Sequence, residues 1–60
     1  MNIEARQEPL SHYWGVWVDD VKVGYGDEDE CQALRAELHA DQDKARMVRE
    51  LLRRGGVVEQ

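Results

Sequence analysis

The chain has no phenylalanine, one proline and one cysteine, Cys31. A single thiol excludes an internal disulfide and suits a reducing compartment better than an oxidising one. No Cys-x-x-Cys or His-x-x-x-His spacing occurs, so a structural zinc site lacks its ligands. Apolar runs extend for only a few residues, too short to span a bilayer. Basic charge is also scarce: thirteen acids oppose eight bases, giving a formal charge of -5 and a pI near 4.8. That balance argues against a protein whose main partner is a nucleic-acid backbone. No basic segment followed by an apolar stretch stands near Met1, so no signal peptide is expected. The expectation is a cytoplasmic protein with no membrane contact.

Within 60 residues, 42% are hydrophobic and 35% charged, which fits one small folded domain. A chain of this length hides only about 60% of the surface its unfolded state exposes. Ordering costs roughly 1.5 kcal/mol per residue, so a small core leaves a margin near zero. With disulfides excluded, a metal or a second subunit is the usual remedy.

Residues 1–11 carry no sustained period, and Pro9 holds Glu8 extended. They read as a loosely ordered arm, with Ile3 as its one handle for an edge strand. Residues 12–26, HYWGVWVDDVKVGYG, read as a β-hairpin turning at Asp19-Asp20. In that register Val18 faces Val21, Val16 faces Val23, and Trp14 faces Tyr25, all on one apolar face. Tyr13, Gly15, Trp17, Lys22 and Gly24 fall on the other. A two-residue turn of this type asks both aspartates for positive φ.

Asp27 and Glu30 then form an Asp-x-x-Glu capping box at the start of a helix. Cys31, Leu34, Leu38, Asp41, Ala45, Val48 and Leu52 follow at alternating spacings of 3 and 4. Two structures satisfy that stripe. One is a continuous helix of about 27 residues, roughly 40 Å long; the other is two helices broken near residues 40–43, with Asp41 capping the second. The absence of Gly and Pro between Glu28 and Arg54 favours the continuous helix. Gly55-Gly56 ends it. The expected fold is therefore α+β: a two-stranded antiparallel hairpin followed by one α-helix, long or broken, in the order ββα. The arm covers 1–11, the folded unit 12–54 and a flexible tail 55–60.

A hairpin of about 17 to 20 Å covers half of a 40 Å helix. The uncovered stripe predicts a homodimer through Leu38, Ala45, Val48, Leu51 and Leu52, with Met47 alongside; a broken helix that folds back permits a monomer. The remaining polar features have competing explanations. Asp27, Glu28, Asp29 and Glu30 offer an acidic docking patch, able to imitate nucleic acid towards a basic partner, yet acids also stabilise a first helical turn. Arg46, Arg49, Arg53 and Arg54 offer a nucleic-acid contact, yet bases equally suit a last turn. Tyr13 and Trp17 with Lys22, beside two glycines, resemble a partner-binding surface unless the arm folds over them through Ile3 or Leu10.

Catalytic constellations are missing. Neither His12 nor His39 has a Ser or Asp partner arranged for nucleophilic chemistry. An EF-hand count from Asp19 places Val21 and Val23 where oxygen ligands belong. No enzyme, cofactor, metal or small-molecule substrate is expected, and Cys31 reads as a core residue. The leading expectation is a small acidic interaction protein, an inhibitor or modulator of a larger protein, nucleic-acid-binding ones included, of the kind phages and mobile elements carry. The alternative is a dimeric DNA-binding regulator using the arginine-rich helix end.

Overall fold

The computed structural model describes residues 1–55. Three strands come first, β1 (Ile3–Gln7), β2 (Trp14–Val18) and β3 (Val21–Gly26), followed by helices α1 (Glu28–Ala40) and α2 (Gln42–Arg53). The strands form one antiparallel sheet in the order β1-β2-β3, and both helices pack on the same side of it. The class is α+β. The expected tail beyond Gly55 lies outside the described residues.

The first correction concerns residues 1–11. Instead of a loose arm they supply β1, paired along its whole length with β2 from Ile3↔Val18 to Gln7↔Trp14. Ile3 is buried in the core with Ala5 packed against it, and that burial, with the pairing to β2, offsets the ordering of the strand. A strand with one apolar anchor carries too little pattern to be distinguished from a loop.

The helix takes the second of the two expected forms, breaking at Asp41, and not the continuous form that was favoured. Its backbone (φ -132°, ψ 82°) leaves the helical region, its N–H still bonds Glu37 O at 3.0 Å, and its side chain accepts from Lys44 N at 3.1 Å. One residue thus closes α1 and caps α2. A continuous helix would carry the Asp41 carboxylate on the apolar stripe, where burial without a partner costs several kcal/mol, about the scale for an ionised group. At the break the same oxygen becomes an N-cap acceptor. A Lys44–Glu37 ion pair straps the two helices across it. Each helix is then 13 or 12 residues long, about 20 Å at 1.5 Å per residue, which matches the strands beneath. The molecule's longest extent is 27 Å, too short for the continuous alternative.

The core between the layers holds Ile3, Val16, Val18, Cys31, Leu38 and Ala45, with Ala5, Trp14, Val23 and Leu34 packed against it. No polar side chain is buried among the described residues. Leu38 and Ala45 fill this core from opposite sides of the break, so neither is available to a second copy. Val48 and Leu52 are half-buried, while Met47 and Leu51 are exposed. The argument for a helix-mediated homodimer therefore loses its premise: folding back at Asp41 supplies the burial within one chain.

The hairpin register is correct at its tip and shifted beyond it. Val18 faces Val21 and Trp17 faces Lys22, but Val16 then faces Gly24 and Gly15 faces Tyr25. Val23 is the extra residue of a β-bulge. Of the two turn residues only Asp19 has positive φ, at 56°, so the turn asks for one left-handed residue where the sequence reading asked for two. Leu38→Ala is expected to cost about 2 to 5 kcal/mol, and Leu51→Ala under about 0.5 kcal/mol. Urea unfolding followed by circular dichroism checks both.

Candidate functional site

The bulge at Val23 decides what the outer face of the sheet displays. Past it, Gly24 turns inward, where a Cβ would stand 2.7 Å from a Leu34 methyl, and Tyr25 turns outward to 75% exposure. The sequence reading had these two exchanged, because strict alternation from the turn cannot register an inserted residue. The outer face accordingly carries Tyr13, Trp17, Lys22 and Tyr25, flanked by Glu4, Arg6 and Glu8 from β1 and its extension. Tyr13, Trp17 and Lys22 are together there as expected; Tyr25 and Arg6 were missed.

Trp17 is the centre of this face. A Cβ at Gly15 would lie 2.6 and 2.7 Å from atoms of the indole, so the ring lies flat over that glycine. The sequence reading reserved this space for a partner, whereas the chain's own tryptophan fills it. The Arg6 guanidinium stacks 4.2 Å from the indole centroid, and Lys22 Nζ stands 5.7 Å from it. The same ammonium lies 5.6 Å from the Tyr25 ring and pairs with Glu8. Each cation–π contact at an exposed site contributes about 0.5 to 1 kcal/mol. The arm does reach the ring, but through Arg6, since Ile3 is in the core and Leu10 is fully exposed.

Tyr13 is 61% exposed, its N–H donating to Ser11 Oγ at 3.0 Å. Leu10, in the β1–β2 connection, has φ 60°, an unusual conformation for a branched apolar residue. Leu10, expected as a possible cover for the rings, points to solvent, and only Pro9 before it hints at its backbone conformation. Together these residues give a platform of Trp17 held by Arg6 and Lys22, with two exposed phenol rings at its rim, Tyr25 in contact with the same Lys22.

The acidic patch divides by role. Asp27 Oδ1 accepts from Glu30 N at 2.8 Å, and Glu30 Oε1 accepts from Asp27 N at 3.1 Å, the reciprocal box expected of them. Glu28 and Asp29 are exposed beside it. Burial, with Asp27 and Glu30 nearby, pushes the Cys31 thiol up, keeping it protonated and inert.

The arginines divide similarly. Arg49 pairs with Asp19 and, at 3.2 Å, with Glu50; Arg53 reaches Asp20 at 3.5 Å and Glu50 at 3.6 Å; Arg46 reaches Asp43 at 3.2 Å. Arg49 and Arg53 tie the end of α2 to the β2–β3 turn. Arg54 lies exposed past the last turn of α2. Among the described residues, no three His, Cys, Asp or Glu side chains converge as a metal site, and no helix is long and apolar enough to cross a membrane.

Compared with protein-family models, curated proteins and solved structures, the chain shows no match.

Two expectations follow. Gly15→Ala should lift the indole off the sheet, red-shifting Trp17 emission measured in a Trp14→Phe background. The second concerns pH. A backbone hydrogen bond from Asn2 and the Arg49 guanidinium hold the Asp19 carboxyl below its usual range. Its stabilising contribution is therefore complete above the unfolded value, about 3.9, and is lost as pH falls through the lower folded value. Thermal melts should show Asp19→Asn less stable than the native chain near neutrality, with the difference shrinking below about pH 4.

Proposed function

We propose that this chain is a small non-enzymatic protein-interaction module, an inhibitor or modulator that works by occupying a larger protein's surface. The observation that carries the reading is the outer sheet face, where Tyr13 and Tyr25 stand exposed beside Trp17, Arg6 and Lys22. Tyr, Trp and Arg are the side chains most often found where binding energy concentrates. The indole is fixed before any partner arrives, so little side-chain entropy is left to lose on docking. Glu28 and Asp29, exposed at the start of α1, add negative charge that favours a partner with a basic surface. Asp27 and Glu30 serve that surface less, being committed to the cap. A cytosolic setting fits the lone buried thiol.

The alternative, a DNA-binding regulator, receives less support. It relies on Arg46, Arg49, Arg53 and Arg54, of which Arg49 and Arg53 are occupied with the hairpin turn and Arg46 with Asp43. The chain's charge of -5 also repels phosphate.

Affinity capture with the native chain and with a Tyr13→Ser/Tyr25→Ser double variant tests the proposal. Both rings are exposed, so the variant should fold with unchanged circular dichroism. A specific partner held by the native chain should be lost or weakened by at least about tenfold, the scale of hot-spot truncation. Undiminished binding by the double variant overturns the outer-face reading. Duplex binding at low salt that disappears on Arg54→Ala/Arg46→Ala would favour the regulator instead.

A further inference from the structure

The two edges of the sheet differ in a way that the outer-face reading does not use. Edge strands present unpaired peptide groups, and proteins usually blunt them with bulges, proline or charged side chains, lysine above all. The β3 edge is blunted: it has the bulge at Val23, glycines at 24 and 26, and Lys22. The β1 edge has no bulge, glycine or proline, its two charges, Glu4 and Arg6, are of opposite sign, and its residues pair with β2 in unbroken register.

We propose that β1 pairs antiparallel with β1 of a second copy, about a two-fold axis through Ala5, to make one continuous six-stranded sheet. The hydrogen-bond parity permits this register. Asn2 O accepts from Asp19 N at 2.6 Å and Glu8 N donates to Tyr13 O at 2.9 Å. Even-numbered residues of this segment thus spend their peptide groups on β2, and alternation turns those of Ile3, Ala5 and Gln7 to the open side. Arg35 Nε donates to Ile3 O at 3.2 Å, which agrees with an outward carbonyl there. In the proposed pairing Ala5 meets the second Ala5, and Ile3 meets Gln7, all with outward groups. A carbonyl has two acceptor lobes, so the Arg35 contact does not forbid the Ile3 bond.

Charge gives the register its specificity. Glu4 and Arg6 lie on the outer face, linked at 3.4 Å within the strand. About the Ala5 axis each Glu4 faces the Arg6 of the other copy, at the closely spaced positions between hydrogen-bonded pairs. Both cross-strand contacts are then attractive. A shift by two residues loses them. The smallest side chain of the strand stands on the axis, so the two copies of that residue meet without crowding. This interface differs from the helix-stripe dimer expected from sequence, and it leaves Leu38 and Ala45 in their core.

Sedimentation equilibrium from micromolar to millimolar protein tests the proposal, with circular dichroism confirming that each variant folds. The native chain should dimerise. Glu4→Arg sets like charges opposite each other twice and should raise the dissociation constant about tenfold or more. The exchange Glu4→Arg/Arg6→Glu restores opposite charges and should recover the dimer. Ala5→Pro removes an N–H that β2 does not use, so it should yield a folded monomer. A native chain that stays monomeric at millimolar concentration overturns the proposal, as does a dimer indifferent to both Glu4→Arg and Ala5→Pro. The charge exchange keeps the test decisive even if the proline variant fails to fold.

Discussion

A carboxylate at the midpoint of an apolar stripe forces a choice on the backbone. Carried forward in a continuous helix, Asp41 would sit between Leu38 and Ala45 at the layer interface, and taking its charge out of water is costly. Leaving the helix at that residue converts the liability into a cap, with the side chain on Lys44 N. Much else follows from that turn. The two halves become as long as the strands, Ala45 is returned to the core beside Leu38, and α2 reaches the β2–β3 turn where Arg49 meets Asp19. The demand for a second subunit along the helix disappears with it.

A second local irregularity organises the other side of the sheet. The extra residue at Val23 exchanges the orientations of Gly24 and Tyr25, so a small residue meets Leu34 and an aromatic one meets solvent. Without the bulge, Tyr25 would crowd α1 and the outer face would lose an exposed phenol. Gly15 does comparable work nearby by giving Trp17 a flat bed, with Arg6 and Lys22 over it. Packing inside and display outside are therefore set by the same short stretch of chain.

Which of these features could be read from the residues depended on how many positions shared the signal. The capping box at Asp27 and Glu30, the turn at Asp19-Asp20 and the apolar stripe each rest on a local pattern, and each is present. The strand at 3–7 rests on Ile3 alone, and its partner strand is what makes it a strand. The break at Asp41 was visible as an alternative, but the short hairpin left two ways to cover the stripe, a second copy or a fold back, and no Gly or Pro marked the break. The bulge left no mark beyond two glycines. At the candidate site, Tyr13, Trp17 and Lys22 followed from alternation near the turn, whereas Tyr25 lay past the irregularity and Arg6 arrived from a strand read as an arm.

The attachment of α2 has a consequence for how the molecule opens. Ala45 is its only fully buried side chain among the described residues, and methyl burial contributes little. The rest of its hold on the sheet comes from half-buried Val48 and Leu52 and from the Arg49 and Arg53 ion pairs at its far end. The exposed Arg53–Asp20 pair weakens as ions screen it, the part-buried Arg49–Asp19 pair less so, and the apolar contacts of α1 with the strands do not. The second helix is thus the more weakly held of the two, the kind of element that opens locally ahead of the core. Its amides are expected to exchange ahead of those in the sheet and α1, with added salt widening that gap as one helix is released from a sheet that stays folded.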